Sequence, residues 1–204
     1  MTKKVFFFTV VFLAALQIKA QQKNESFRLG VGYGFGSEFN NKDYTFENHF
    51  YKMQLYYVLK QTKYFQYEVL FQPEINFAKH QLLNFYFVKP DEPNFEEKRA
   101  EYTKLKDIRE YVLNVGFLIR KPLNKTYSLY FLGSIGPMIT DTETERMSDG
   151  FAFADVLALG LSVKVKKIQF DVRPLIRHVS NAGLTSVNSG YNTKNIEFGI
   201  SYQL

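Results

Sequence analysis

The last ten residues, Asn195-Ile196-Glu197-Phe198-Gly199-Ile200-Ser201-Tyr202-Gln203-Leu204, carry the pattern that sets the fold class. Ile196, Phe198, Ile200, Tyr202 and Leu204 fall on one face, and Glu197, Gly199, Ser201 and Gln203 on the other. Alternation this strict is a strand signal and not a helix signal. Near the other end of the chain the pattern returns. Leu29, Val31, Tyr33 and Phe35 alternate with Gly30, Gly32, Gly34 and Gly36. Six more such stretches lie between, at residues 51–59, 67–77, 111–120, 127–135, 157–163 and 168–177. In each, an apolar row faces away from a row of small, polar or charged residues.

Eight strands about ten residues long or longer, with aromatics near their ends, have the pattern of an outer-membrane barrel. The expected fold is all-β: an eight-stranded antiparallel up-and-down transmembrane β-barrel of the outer membrane. A soluble sandwich alternates in the same way, but turns its apolar face inward. Strand length and the small or charged second face favour the barrel, as does the export signal described next. Eight strands enclose an interior just wide enough for side chains, so Gly, Ser, Glu and Arg are expected to fill it without an aqueous pore. The connections alternate long and short. Residues 37–48, 79–108, 140–150 and 181–191 form the long set, and 60–63, 121–125 and 165–166 the short set. Short turns belong to the periplasmic side of such barrels and long loops to the outside. The mixed-charge stretch 79–108 is expected to be a solvated lid or a mobile segment.

The N-terminus has the plan of a secretory signal. Lys3 and Lys4 precede Val5 to Leu16, a 12-residue run without a charge, and Ala20 is small enough for a cleavage site. A membrane-spanning helix needs about 20 apolar residues, which this run lacks. Residues 1–20 are therefore expected to be removed, leaving 21–204 as the barrel. The whole chain of 204 residues has a formal charge of +6. Three of those charges, Lys3, Lys4 and Lys19, lie in the signal, which holds no acid, so +3 remains. That gives no reason to expect a nucleic-acid partner. Cysteine is absent, which excludes disulfides, thiolate metal sites and a cysteine nucleophile.

Several features resemble sites without the supporting context. The glycines from Gly30 to Gly36 open no helix, so they read as crowded barrel interior and not as a dinucleotide loop. His49 and His80 stand alone in the sequence and are expected to be plain surface. The basic turn from Lys164 to Lys167 is expected to face the periplasm.

Chemistry concentrates in Leu175-Ile176-Arg177-His178-Val179-Ser180-Asn181-Ala182-Gly183-Leu184. His178 and Ser180 are two apart on a strand, so they share a face with Cα atoms about 7 Å apart. A histidine at that range can take a serine's proton and make it a nucleophile. Their parity matches Ile168, Phe170, Val172 and Ile176, which is the lipid-facing row. From Lys167 to His178 is 11 steps, about 36 Å of strand or roughly 28 Å of height at a tilt of about 40°. The apolar band is about 25 Å tall, so the pair lies at the outer-leaflet interface, where lipid ester bonds are. The bland alternative is a strand emerging into water, where His and Ser are ordinary.

The run from Arg177 to Leu184, followed by Asn188-Ser189-Gly190, resembles the signature of the PagL-type lipid A 3-O-deacylases, often labelled acyloxyacyl hydrolases. The resemblance implies an outer-membrane hydrolase that removes the ester-linked 3-hydroxyacyl chain of lipid A at a site on the barrel's exterior. Its partner would be the lipopolysaccharide of the outer leaflet. It implies His178 as general base and Ser180 as nucleophile. Asn181, Gly183 and Asn188 are candidates for oxyanion stabilisation or loop shaping. The family pattern has a glutamate twelve residues after the serine, and here that position is Asn192. Asn192 shares the parity of Ile196 and Phe198, so it can reach the same exterior patch. It can hold an imidazole by hydrogen bonding but supplies no charge. Glu197 has interior parity and is a poor substitute. Asp171, Arg173 and Arg177 are expected to form a buried polar network. No cofactor is expected, since no His/carboxylate cluster has ligand spacing. The rival function is a non-catalytic barrel with a structural or surface-binding role. An acyltransferase barrel or a soluble periplasmic lipid carrier are weaker alternatives.

Overall fold

In hydrocarbon every backbone N–H and C=O needs a partner, and a closed sheet supplies one without leaving an edge. The alternating stretches meet that condition. In the computed structural model, which describes residues 26–39, 41–185 and 187–204, eight antiparallel strands close into one barrel in chain order. They are β1 (Phe27–Glu38), β2 (Tyr44–Gln61), β3 (Gln66–Leu82), β4 (Lys106–Pro122), β5 (Tyr127–Thr140), β6 (Gly150–Val165), β7 (Ile168–Ser180) and β8 (Tyr191–Gln203). The expected signal, residues 1–20, lies outside the described residues.

The register follows the sequence parity. The hydrogen-bonded row that leaves β8 at Asn192 passes His178, Asp155 and Ile135 and returns to β8 at Tyr202. That stagger tilts the strands by roughly 40°. Leu29, Met53, Phe71, Leu113, Phe131, Leu159 and Phe170 face outward and are exposed. Opposite them, charges are buried and paired. Arg28 and Arg120 share Glu68, Arg177 meets Glu110, and Lys52 lies between Glu74 and Glu197. Arg173 closes this centre on Glu197. Asp171 accepts from Ser162, which Arg120 also contacts. Arg173 and Arg177 thus share a buried network through Glu197, Lys52 and Glu74, whereas Asp171 belongs to the group around Ser162, Arg120 and Glu68. Two interior glycines make room for rings. A Cβ on Gly160 would lie 2.0 Å from the Tyr130 ring, and one on Gly34 would lie 2.3 Å from Phe50.

The interior is less polar than the sequence reading expected, and the long loops are shorter. β1 continues to Glu38 and β2 opens at Tyr44, so little remains of the expected 37–48 loop. β3 runs to Leu82 and β4 starts at Lys106. Midway along the barrel Phe50, Leu70, Leu118, Leu132 and Leu175 already form a buried apolar cluster among the charges, and the longer strands come from a reversal of polarity near the extracellular end. There Tyr44, Phe46, Ala78 and Ile108 point inward and are buried, joined by Val112, Met138, Val179 and Tyr191. Glu47, Lys79, Asp107 and Arg109 point outward and are exposed. The strands have left the bilayer and now alternate as soluble strands do, with apolar residues inside.

Residues 83–105 are built, not featureless. A single 3-10 turn (Phe85–Phe87) and a short helix, α1 (Phe95–Tyr102), fold over Leu82 and Val88. Arg99 donates to Val88 O from both Nε and an Nη, at 2.9 and 2.7 Å. The Tyr102 hydroxyl donates to Glu143. Burial first, and then the Glu143 carboxylate, push that hydroxyl up from the usual tyrosine range, so it remains a donor.

Candidate active site

β7 leads His178 and Ser180 out of the apolar row at its extracellular end. Both are half-buried on the exterior wall, while their neighbours Arg177 and Val179 point inward and are 2% and 1% exposed. Inside the barrel the same level marks the change from the ion network at Arg177 to the apolar cluster at Val179 and Tyr191. Outside, Ile176 is followed on β7 by His178 and Ser180, and Leu157 is followed on β6 by Asp155 and then Phe153.

β8 completes the pair. Asn192 is the cross-strand partner of His178, and its Oδ1 lies 2.9 Å from His178 Nδ1. With that oxygen as acceptor, Nδ1 carries the proton and Nε2 carries the lone pair. This is the tautomer a general base needs. Ser180 Oγ makes no hydrogen bond to His178 or to another side chain among the described residues. Such contacts commonly tighten only when substrate arrives.

The neighbouring residue Tyr191 fixes where β8 begins. Its ring packs on Phe46 at 4.7 Å and on His80 at 5.4 Å, and its hydroxyl bonds Thr144. His80 corrects a sequence expectation. It is fully buried, with Nε2 2.8 Å from Glu145 Oε2. It sits on the inward parity of β3 at the level where the interior has become apolar and aromatic. His49 is exposed, stacked on Phe77 at 5.3 Å.

The loop after Ser180 is held by its own amides. Asn181 is buried, and its N–H donates to Asn188 Oδ1 at 2.8 Å. Its side chain donates to Val187 O at 2.9 Å and accepts from Gly183 N–H at 3.0 Å. Asn181 and Gly183 thus shape the loop, and both backbone N–H groups are already engaged. Asn188 spends its oxygen on Asn181, leaving the Nδ2 group without a protein partner among the described residues.

Sequence reasoning missed Arg146 and Asp155, and quoted Gly190 in the signature without a role for it. Arg146 ties the loop down, donating to Gly190 O at 2.6 Å and to Ser189 O at 3.3 Å. Gly190 has φ +63, and a Cβ there would lie 2.3 Å from Val179 O and 3.6 Å from His178 Cε1. Asp155 on β6 is the cross-strand partner of His178 on the side away from Asn192. Gly190 alone had a local signal, as a glycine just before a strand.

A family model described as lipid A 3-O-deacylase (PagL) matches residues 94–201, just over half of the chain and all of this site. The chain belongs to the PagL family. It is a barrel of the outer membrane. Among solved structures it is similar to the outer membrane enzyme PagL, with a TM-score of 0.57 and 12% identity over 83% of this chain and 97% of that one. It is also similar to Neisserial surface protein A, with a TM-score of 0.52 and 9% identity over 87% of this chain and 97% of the other. At these identities the structural likeness concerns the fold alone. No curated protein matches the chain.

Proposed function

We propose that this PagL-family barrel hydrolyses the ester-linked 3-hydroxyacyl chain of lipid A by a serine mechanism at His178 and Ser180. The observation that supports the reading is the bond His178 Nδ1–H donates to Asn192 Oδ1, which leaves the Nε2 lone pair free on the exterior face that His178 shares with Ser180. The Ser180 oxygen attacks the ester carbonyl carbon while His178 Nε2 takes its proton. The intermediate collapses as the sugar 3-oxygen leaves and receives that proton from His178. Water, deprotonated at the same nitrogen, then attacks the acyl-serine and frees the 3-hydroxy fatty acid. The free Nδ2 of Asn188 is the candidate donor to the oxyanion. Phe153, the cross-strand neighbour of Ser180, together with Leu157 and Ile176 offers an apolar track for the acyl chain. An enzyme working on a membrane lipid needs no water-filled lumen.

The test is lipid A mass spectrometry after expression in a host whose lipid A retains all its chains. The expected product is lighter by one 3-hydroxyacyl group. An unchanged profile, with the barrel folded in the outer membrane, would overturn the reading in favour of a non-catalytic surface barrel. Asn192→Ala is expected to lower kcat roughly tenfold to a hundredfold, because an imidazole without its acceptor samples the wrong tautomer and orientation. Initial rates on purified lipid A in mixed micelles check this.

A further inference from the structure

His178 has a neighbour on each side, and only one of them bears a charge. On β8 it meets Asn192, a neutral amide. On β6 it meets Asp155, its Cα partner in the register. Directly opposed residues on one face of an antiparallel pair have Cβ atoms about 5 Å apart, so the two side chains leave the sheet side by side, with no carboxylate oxygen within 4 Å of a ring nitrogen in the resting geometry. Asp155 lies on the exterior wall and is exposed. It has no salt bridge and no side-chain hydrogen bond among the described residues. Its outward neighbours along β6 are Phe153 and Leu157. A carboxylate in such a row is costly where the wall faces lipid, and fold stability gives no reason for it.

We propose that Asp155 is a positioning residue that supplies the negative charge for His178, the part of the task that Asn192 cannot perform. This rests on the serine mechanism above. When the Ser180 proton moves to Nε2, the imidazole gains a full positive charge at the edge of the bilayer, where screening is weak. The transition state then forms on the strand face it shares with the Asp155 carboxylate. The work that one glutamate could do is divided here between two strands. Asn192 sets the tautomer from β8, and Asp155 balances the charge from β6. Lys194, one exterior position deeper than Asn192, is the cation on the other flank, and its field makes a compensating anion more useful.

The experiment uses full-length protein refolded in detergent with purified lipid A, reading kcat and KM separately. Asp155→Asn, nearly isosteric and on the outer surface, is expected to fold as wild type and to lose kcat about tenfold to a hundredfold with KM within about twofold. Asn192→Glu is expected to restore most of that loss in the Asp155→Asn background and to add little in the wild-type background. A wild-type kcat in Asp155→Asn overturns the proposal. So does a double variant no faster than Asp155→Asn, since charge would then not be what Asp155 contributes. Ser180→Ala run in parallel separates the two readings. If it remains active, the serine mechanism itself fails. If it is inactive while Asp155→Asn is unaffected, only the role of Asp155 fails.

Discussion

Ser180→Ala leaves lipid A with its full set of acyl chains, with a fall in rate of at least about ten-thousandfold. The size follows from the chemistry. Removing Oγ removes the acyl-enzyme route, and what remains is binding of the lipid and any help from Asn188 to direct attack by water. His178→Ala is expected to cost nearly as much, and the double variant no more than either alone, because nucleophile and base act as one unit. The site lies on the outer wall, so neither change removes a buried contact of the interior. Both variants should therefore fold, which heat-modifiable migration on a gel checks. Lipid A mass spectra and release of 3-hydroxy fatty acid are the readouts. A Ser180→Ala protein that strips the same chain as wild type would place the nucleophile elsewhere.

The second large effect concerns the barrel itself. Glu197→Ala is expected to destabilise the fold by about 3–5 kcal/mol, the usual result of leaving buried charge uncompensated. Glu197 is 1% exposed and stands between Arg173 and Lys52, with Gln54 Nε2 also donating to it at 2.7 Å. Its removal strands the Arg173 guanidinium, which is fully buried and whose salt bridge among the described residues is to Glu197. Lys52 retains Glu74 at 3.2 Å, so the loss centres on Arg173. Replacing both partners, as Arg173→Met with Glu197→Leu, is expected to recover much of the stability, since the cost lies in the unpaired charge more than in the lost bond. Urea unfolding of the detergent-refolded barrel measures it. A Glu197→Ala midpoint equal to wild type would show that the interior adapts to the loss.

Much of this was legible in the chain, for reasons visible in single residues. A strand has a side-chain period of two, so Ile176 on the lipid face assigns His178 and Ser180 to that face before any coordinates exist. Glu197 is assigned inward by the same count. The parity rule fails to identify strand ends where its premise changes. At Tyr44, Phe46 and His80 the interior is apolar and the exterior charged, the reverse of the membrane-spanning segments. The apolar-outside rule therefore ends these strands too early and assigns His80 to the surface. Asn181 and Gly183 were recognised as a loop signature, but that their amides are spent within the loop depends on side-chain geometry.

Sequence alone determined the barrel, the strand count and the exterior face on which His178 and Ser180 lie, because each follows from periodicity or from neighbours two residues apart. Folding decided what reaches that pair from elsewhere. Asn192 and Asp155 lie fourteen and twenty-three residues from His178, and their meeting on either side of it is set by the stagger of β6, β7 and β8. A shift of one residue in either pairing would turn the partner's side chain to the other side of the wall. Register is a property of the closed sheet as a whole, fixed by all eight pairings together, and no local stretch of the chain contains it.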